Sequence, residues 1–206
     1  MKVLSLLTAI TGIARAIPSP FKKADTASCP YYLPEGGYEF PHLIVPINSS
    51  NVAMGHSYFA DISPSNGATI YNFDIPPSRA HQQCSLYFTF PRHNQLSTSD
   101  YQWTGNNNDS ESAGTLQAVQ YQYATGATDS TTGNTQPALG LDAPITINSV
   151  TPGNAYKIWT GLSGAGGVMS WRLSSTDSWL HYFQDWNLCA IGLWVVYEGA
   201  APAPVS

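Results

Sequence analysis

Hydrophobic and polar positions alternate with a period of two through most of the chain after Tyr38. Cys84, Leu86, Phe88 and Phe90 fall on one side of an extended segment, with Ser85, Tyr87 and Thr89 on the other. Tyr71, Phe73 and Ile75 alternate with Asn72 and Asp74, and Met169, Trp171 and Leu173 alternate with Ser170 and Arg172. Successive side chains of a strand point to opposite faces, so each segment predicts a half-buried strand with its polar face outward. Residues 191–197 are apolar on both faces and rich in Val and Trp. They predict a strand covered on both sides, central to the fold or lying under the N-terminal leader.

Turn chemistry separates these runs. Pro64-Ser65-Asn66-Gly67 lies between residues 56–62 and 68–75, as a hairpin loop requires. Thr151-Pro152-Gly153-Asn154 precedes a run at 155–160, and Gly164-Ala165-Gly166-Gly167 precedes 168–173. Pro41 and Pro46 flank residues 42–45, which places that segment at a sheet edge. Residues 104–113 and 125–136 are dense in Ser, Thr, Gly, Asn and Asp. They bracket a strand candidate at 115–123 and read as long exposed loops. No segment after residue 16 predicts a helix of two turns. The pattern predicts an all-β domain over residues 38–198, a β-sandwich of roughly nine or ten short, mostly antiparallel strands.

A chain of 206 residues fits one such domain plus tails. Residues 1–16 read as a signal peptide: Lys2, an apolar stretch at 3–13, then Ala14-Arg15-Ala16 as the cleavage site. The stretch is too short to span a bilayer, and no later run approaches the length of a transmembrane anchor. Residues 17–37 form an irregular leader broken by Pro18, Pro20, Pro30, Pro34 and Gly36-Gly37. Lys22-Lys23 within it is a weak processing signal and reads as a solvated pair. Residues 199–206 read as a flexible tail with no hydrophobic end for a glycolipid anchor.

The expected address is therefore extracellular. Only 10% of residues are charged, against about 25% in an average protein. Uncharged hydroxyls, amides and attached sugars must then supply the polar surface. Without residues 1–16, six basic residues face thirteen acidic ones, and the net charge moves from -5 to -7. Such a chain has no basic patch for nucleic acid or for an anionic membrane surface. Asn48-Ser49-Ser50 and Asn108-Asp109-Ser110 are glycosylation sequons in predicted loops. Cys29, Cys84 and Cys189 predict one disulfide and one remaining thiol in an oxidising compartment, and the residues leave three pairings open.

Candidate chemistry is sparse. The chain has no Gly-x-Ser-x-Gly elbow, phosphate loop or His-Glu-x-x-His pair. Its five histidines lack the spacing of a zinc site, so no metal or cofactor is expected. A sugar hydrolase needs two carboxylates about 5–10 Å apart. Asp74 and Asp185 would share a cleft if the strands at 68–75 and 179–185 were neighbours. The simpler reading is that each caps a turn. Six Trp and twelve Tyr are many for this length. Most belong in the core, but exposed rings stack on sugars. Trp103, beside the Asn-rich loop, and Trp186, in a turn, are the candidates for a sugar-binding role.

Several ordered segments carry a resemblance. Residues 38–47 (Tyr-Glu-Phe-Pro-His-Leu-Ile-Val-Pro-Ile) are followed by Ala53-Met54-Gly55-His56-Ser57-Tyr58, by 69–76 and by Cys84-Ser85-Leu86-Tyr87-Phe88-Thr89-Phe90-Pro91. Residues 96–101, 152–156, Tyr182-Phe183-Gln184-Asp185-Trp186-Asn187 and Ile191-Gly192-Leu193 continue the order. Over about residues 38–197 the chain resembles the fungal ubiquitin-3-binding-protein (But-two type) C-terminal domain family. The resemblance implies a small secreted or wall-associated protein without an established chemistry. The family's name comes from a member linked to a ubiquitin-like activating enzyme. A cleaved signal peptide would put this chain on the other side of the membrane from such enzymes. Family members often carry a Cys-Pro-Ala-Gly turn where this chain has Leu162-Ser163-Gly164-Ala165-Gly166. Cys84 thereby loses the family's partner, and the resemblance implies a Cys29–Cys189 disulfide tying the leader to the last strand.

The expectation is a non-catalytic extracellular glycoprotein, cell-surface, wall-associated or free. Its partner would be a wall polysaccharide or another surface protein. Two alternatives stand beside it: a carbohydrate-active hydrolase using Asp74 and Asp185, and an interaction adaptor of a ubiquitin-like pathway.

Overall fold

The computed structural model describes residues 29–140, 143–164 and 166–199. The expected signal peptide at 1–16, Lys22-Lys23 and the expected tail at 200–206 lie outside the described residues. Among the described residues, twelve strands, all paired antiparallel, build three sheets. The first has the order β1 (Tyr38–Glu39), β12 (Gly192–Tyr197), β5 (Gln83–Phe90) and β9 (Asn154–Leu162). The second runs β2 (Leu43–Ile47), β4 (Ala68–Ile75), β10 (Gly167–Ser175), β7 (Gly114–Gln120) and β8 (Ile145–Val150). The third is β3 (Phe59–Ile62), β11 (Trp179–Phe183) and β6 (Tyr101–Thr104). The count exceeds nine or ten because of the two-residue β1 and of β8, whose exposed face is polar. Only two short 3-10 turns, Pro77–Arg79 and His93–Gln95, are helical among the described residues.

The fold is an all-β sandwich, and alternation explains it. Leu86, Phe88 and Phe90 of β5 face inward, as do Tyr71, Phe73 and Ile75 of β4 and Met169, Trp171 and Leu173 of β10. Trp159 of the first sheet meets Trp171 of the second, ring centroids 5.4 Å apart. The third sheet abuts the second, since β3 touches β2, β4 and β10. It adds Ala60, Ile62, Tyr101, Trp103, Leu180 and Tyr182 to the same core. The Tyr71 and Tyr182 hydroxyls satisfy each other at 2.6 Å within it, as buried polar atoms must.

The outer face of the first sheet is also covered. Leu193, Val195 and Tyr197 of β12 face the core, while Trp194 and Val196 face outward beneath Tyr31, Leu33, Tyr38 and Phe40. The strand that is apolar on both sides therefore does lie under the leader. Trp194 meets Tyr38 and Phe40 edge-on at 5.6 Å each and donates its indole N–H to Thr89 Oγ1 at 2.8 Å. A disulfide joins Cys29 to Cys189, with Cα atoms 5.2 Å apart and a sequence separation of 160.

The second sheet carries a cover that alternation does not predict. Residues 125–136 are not a wholly exposed loop: Ala127, Thr131 and Thr132 are buried. The segment folds back over the outer face of β2 and β4, where Ala127 and Tyr121 pack with Val45, Ile47 and Ile70. Asn72, in an outward position of β4, holds it there. Its Oδ1 accepts from Ala127 N (3.1 Å) and Ser170 Oγ (2.9 Å), and its Nδ2 donates to Ala127 O (2.8 Å). In the other polar stretch, residues 106–111 are exposed as expected.

Cys84 is a free thiol with no exposed surface. Burial, with Glu198 nearby, pushes its pKa up to about 11, and only the thiolate is an effective nucleophile. Iodoacetamide is therefore expected to leave the native, unreduced protein unmodified and to add one label per chain in denaturant. Labelling of the folded protein, or more than one label without reductant, would contradict this arrangement.

Candidate functional site

The third sheet exposes a face that breaks the rule of polar residues outward. Leu180 and Tyr182 of β11 enter the core, so Trp179, His181 and Phe183 point the other way. On β3, Ala60 and Ile62 turn inward, which leaves Phe59 and Asp61 outside. Cross-strand register places Phe183 opposite Phe59, and His181 between Asp61 and Gln102 of β6. Trp179 stands opposite Thr104.

These rings form a continuous row. Phe59 lies nearly parallel to His181, centroids 5.3 Å apart and planes at 10°. Trp179 lies nearly parallel to His181 at 6.2 Å and 11°. Phe183 tilts against Phe59 at 5.3 Å, and Tyr58 against Phe183 at 6.4 Å. Tyr58 is 68% exposed and Phe59 45%. Asp61, Gln102 and Thr104 edge the row with hydrogen-bonding groups. Apolar ring surface flanked by such groups suits ligands that carry both C–H faces and hydroxyls.

The ligand candidates named from sequence separate. Trp186 is exposed, at 61%. It sits in the turn after β11 and, with Tyr38 and Phe40, lines a cleft of about 270 Å³. That turn is firmly built. Asp185 and Ile191 exchange backbone hydrogen bonds at 3.2 and 2.9 Å. Gln184, buried, bonds both the N–H and the C=O of Leu193 at 3.0 Å. This approach requires Gly192: at φ +120° a Cβ there would meet Gln184 Oε1 at 1.9 Å.

Trp103, by contrast, is a core residue, 5% exposed. Its inward position on β6 sets it edge-on to Phe90 at 5.3 Å, and its indole N–H reaches Ser112 O at 3.1 Å. The polar loop beside it in sequence folds back to accept that hydrogen bond, so the loop does not expose the ring.

Asp74 and Asp185 are not brought together by neighbouring strands. β4 pairs with β2 and β10, whereas β11 pairs with β3 and β6. The Asp74 carboxylate, exposed, lies 3.1 Å from His42 Nδ1. The Asp185 carboxylate is buried, accepting from the Thr98 hydroxyl and from Asn187 N at 3.1 Å. It does the work of a turn cap.

Asn48 follows β2 and accepts the Ser50 N–H at 2.9 Å, while Asn108 is exposed in the loop after β6. Among the described residues, no three His, Cys, Asp or Glu side chains group as metal ligands. Nor is any helix among them long and apolar enough to cross a membrane.

Sequence reasoning missed the aromatic row. A signal existed: residues 179, 181 and 183 alternate with Leu180 and Tyr182, giving a strand without a polar face. Phe59 and Tyr58 join them only through pairing of β3 with β11, more than a hundred residues apart.

Comparison with known proteins agrees with the resemblance read from sequence. Among curated proteins, none matches the chain. Residues 39–188, most of the described domain, match the family described as Ubiquitin 3 binding protein But2 C-terminal domain. The chain belongs to the But2 C-terminal domain family.

Proposed function

We propose that this chain is a secreted, non-catalytic polysaccharide-binding glycoprotein of the fungal cell surface, wall or medium, with the outer face of β3, β11 and β6 as its platform. One observation carries the reading: five rings, Trp179, His181, Phe59, Phe183 and Tyr58, lie outward in one row. A solvated sheet face is ordinarily polar, and an apolar row left exposed marks an interaction site. Sugar rings offer C–H faces for such a row and hydroxyls for Asp61 and Gln102. The acidic charge balance and the signal-peptide pattern support an extracellular partner without phosphate.

The test is co-sedimentation of the mature protein with insoluble β-glucan and chitin. Trp179→Ala combined with Phe59→Ala is expected to weaken binding at least tenfold, about 1.4 kcal/mol, while thermal melting confirms a folded domain. A folded double variant that binds as the parent does would remove this platform. The family description names a ubiquitin protein as a partner. Specific capture of ubiquitin-like protein through the same rings, with no polysaccharide binding, would replace the proposal.

A further inference from the structure

The aromatic row does not stop at the edge of the third sheet. Tyr58, its last ring, also lines a cleft of about 550 Å³ whose walls include His42, His56, Asp129 and Phe40. Phe40 in turn lines the next cleft with Tyr38 and Trp186. Tyr38 and Trp186 pass on to a third, of about 300 Å³, with Leu33, Glu35 and Leu188. Each segment shares a ring with the next. The path therefore runs from Trp179 on β11, past β3 and the start of β2, to the turn beside the Cys29–Cys189 disulfide.

From this continuity we infer that the protein binds a long, uncharged polysaccharide along its length, with Trp186 and Tyr38 as a second contact region remote from the β11 row. The inference rests on the proposed sugar-binding role of that row. Three features point to this occupant. The path alternates ring surface with hydrogen-bonding groups. At the first of the three clefts, His56 Nδ1 is held 2.8 Å from Asp129, and His42 Nδ1 3.1 Å from Asp74. Such fixed imidazoles and carboxylates suit sugar hydroxyls, which both donate and accept.

Charge narrows the class. Among the described residues, those lining the three clefts include Glu35 and Asp129 but no Lys or Arg, so they would repel a polyanionic chain along the path. The far end is also held in an unfavourable backbone state. Leu188 has φ 43°, a left-handed conformation that is unfavourable for a non-glycine residue and concentrated at ligand clamps. That turn leaves both Trp186 and Leu188 exposed.

The deciding experiment compares Trp186→Ala with the Trp179→Ala, Phe59→Ala double variant. The probes are soluble β-glucan and chitin oligosaccharides of increasing length, the corresponding polymers, and an anionic polygalacturonate. Affinity is expected to rise with chain length. Trp186→Ala should lose at least fivefold on the polymer and the double variant at least tenfold, and the length dependence should flatten in both. The two neutral sugars distinguish glucan from chitin as the source, and polygalacturonate should not bind.

If the double variant loses polymer binding while Trp186→Ala retains it, the extended path is wrong and the β11 platform stands. Unchanged binding in both variants would overturn the path and the platform together. Size-exclusion chromatography closes the remaining route. A parental dimer that Trp186→Ala converts to monomer would assign this end to a second copy and overturn the inference.

Discussion

Replacing Trp194 with alanine is expected to lower stability by about 3–5 kcal/mol, the usual cost of deleting a large buried ring. Trp194 has no exposed surface although it points away from the main core. It is the surface onto which Tyr38 and Phe40 pack, and its N–H satisfies Thr89. Truncation would leave a cavity between β12 and the leader and strip the buried Thr89 hydroxyl of that donor. For a domain of this size the loss corresponds to a melting temperature roughly 6–20 °C lower. Urea denaturation gives the check: the midpoint should fall with little change in slope. A loss under about 1 kcal/mol would mean that the leader does not rest on this ring in solution.

Removing the Cys29–Cys189 disulfide is the second large effect. With the two cysteines 160 positions apart in sequence, loop-closure entropy alone gives about 5 kcal/mol, and native disulfides removed from secreted domains cost about 2–5. The Cys29→Ser, Cys189→Ser variant is thus expected to unfold at markedly lower urea than the parent, and the parent under reductant should match it. Because the disulfide and Trp194 secure the same segment, the triple variant should lose less than the sum of the two separate losses. Residues that share partners couple in this way, while distant sites add. Full additivity would show that the covalent link and the aromatic packing act on different parts of the domain.

Local alternation made much of this fold readable. The strand at Ala68–Ile75 begins and ends where the pattern places it, and the edge position of β2 follows from its prolines. The doubly apolar strand β12 announced a cover on its second side. What the pattern could not carry was whatever depends on a partner remote in sequence. Asn72 occupies an outward, polar position and is nonetheless 3% exposed, because a segment some fifty residues later folds over it. Trp103 was misplaced by its neighbours in sequence, whereas its strand parity put it inside. The row on β11 was missed for the opposite reason: attention to single exposed tryptophans overlooks three moderately exposed rings that matter together. Trp186 was legible because a turn between two strands has few neighbours to bury it.

The disulfide also sets an order on the making of the protein. Cys29 is synthesised long before Cys189, and at about 5–20 residues per second the 160 residues from there through Cys189 take roughly 8–32 s to add. Throughout that interval Cys29 has no native partner, and once Cys84 has been added, about a third of the way through it, a thiol is available to form the wrong bond. The central β12, which pairs with both β1 and β5, arrives only after Cys189. A nascent chain therefore passes through a period in which β5 lacks its neighbour and its thiol lacks the burial that silences it. Correct oxidation is tied to completion of the sheet, and the clasp closes only on a chain that has been read through to its final strands.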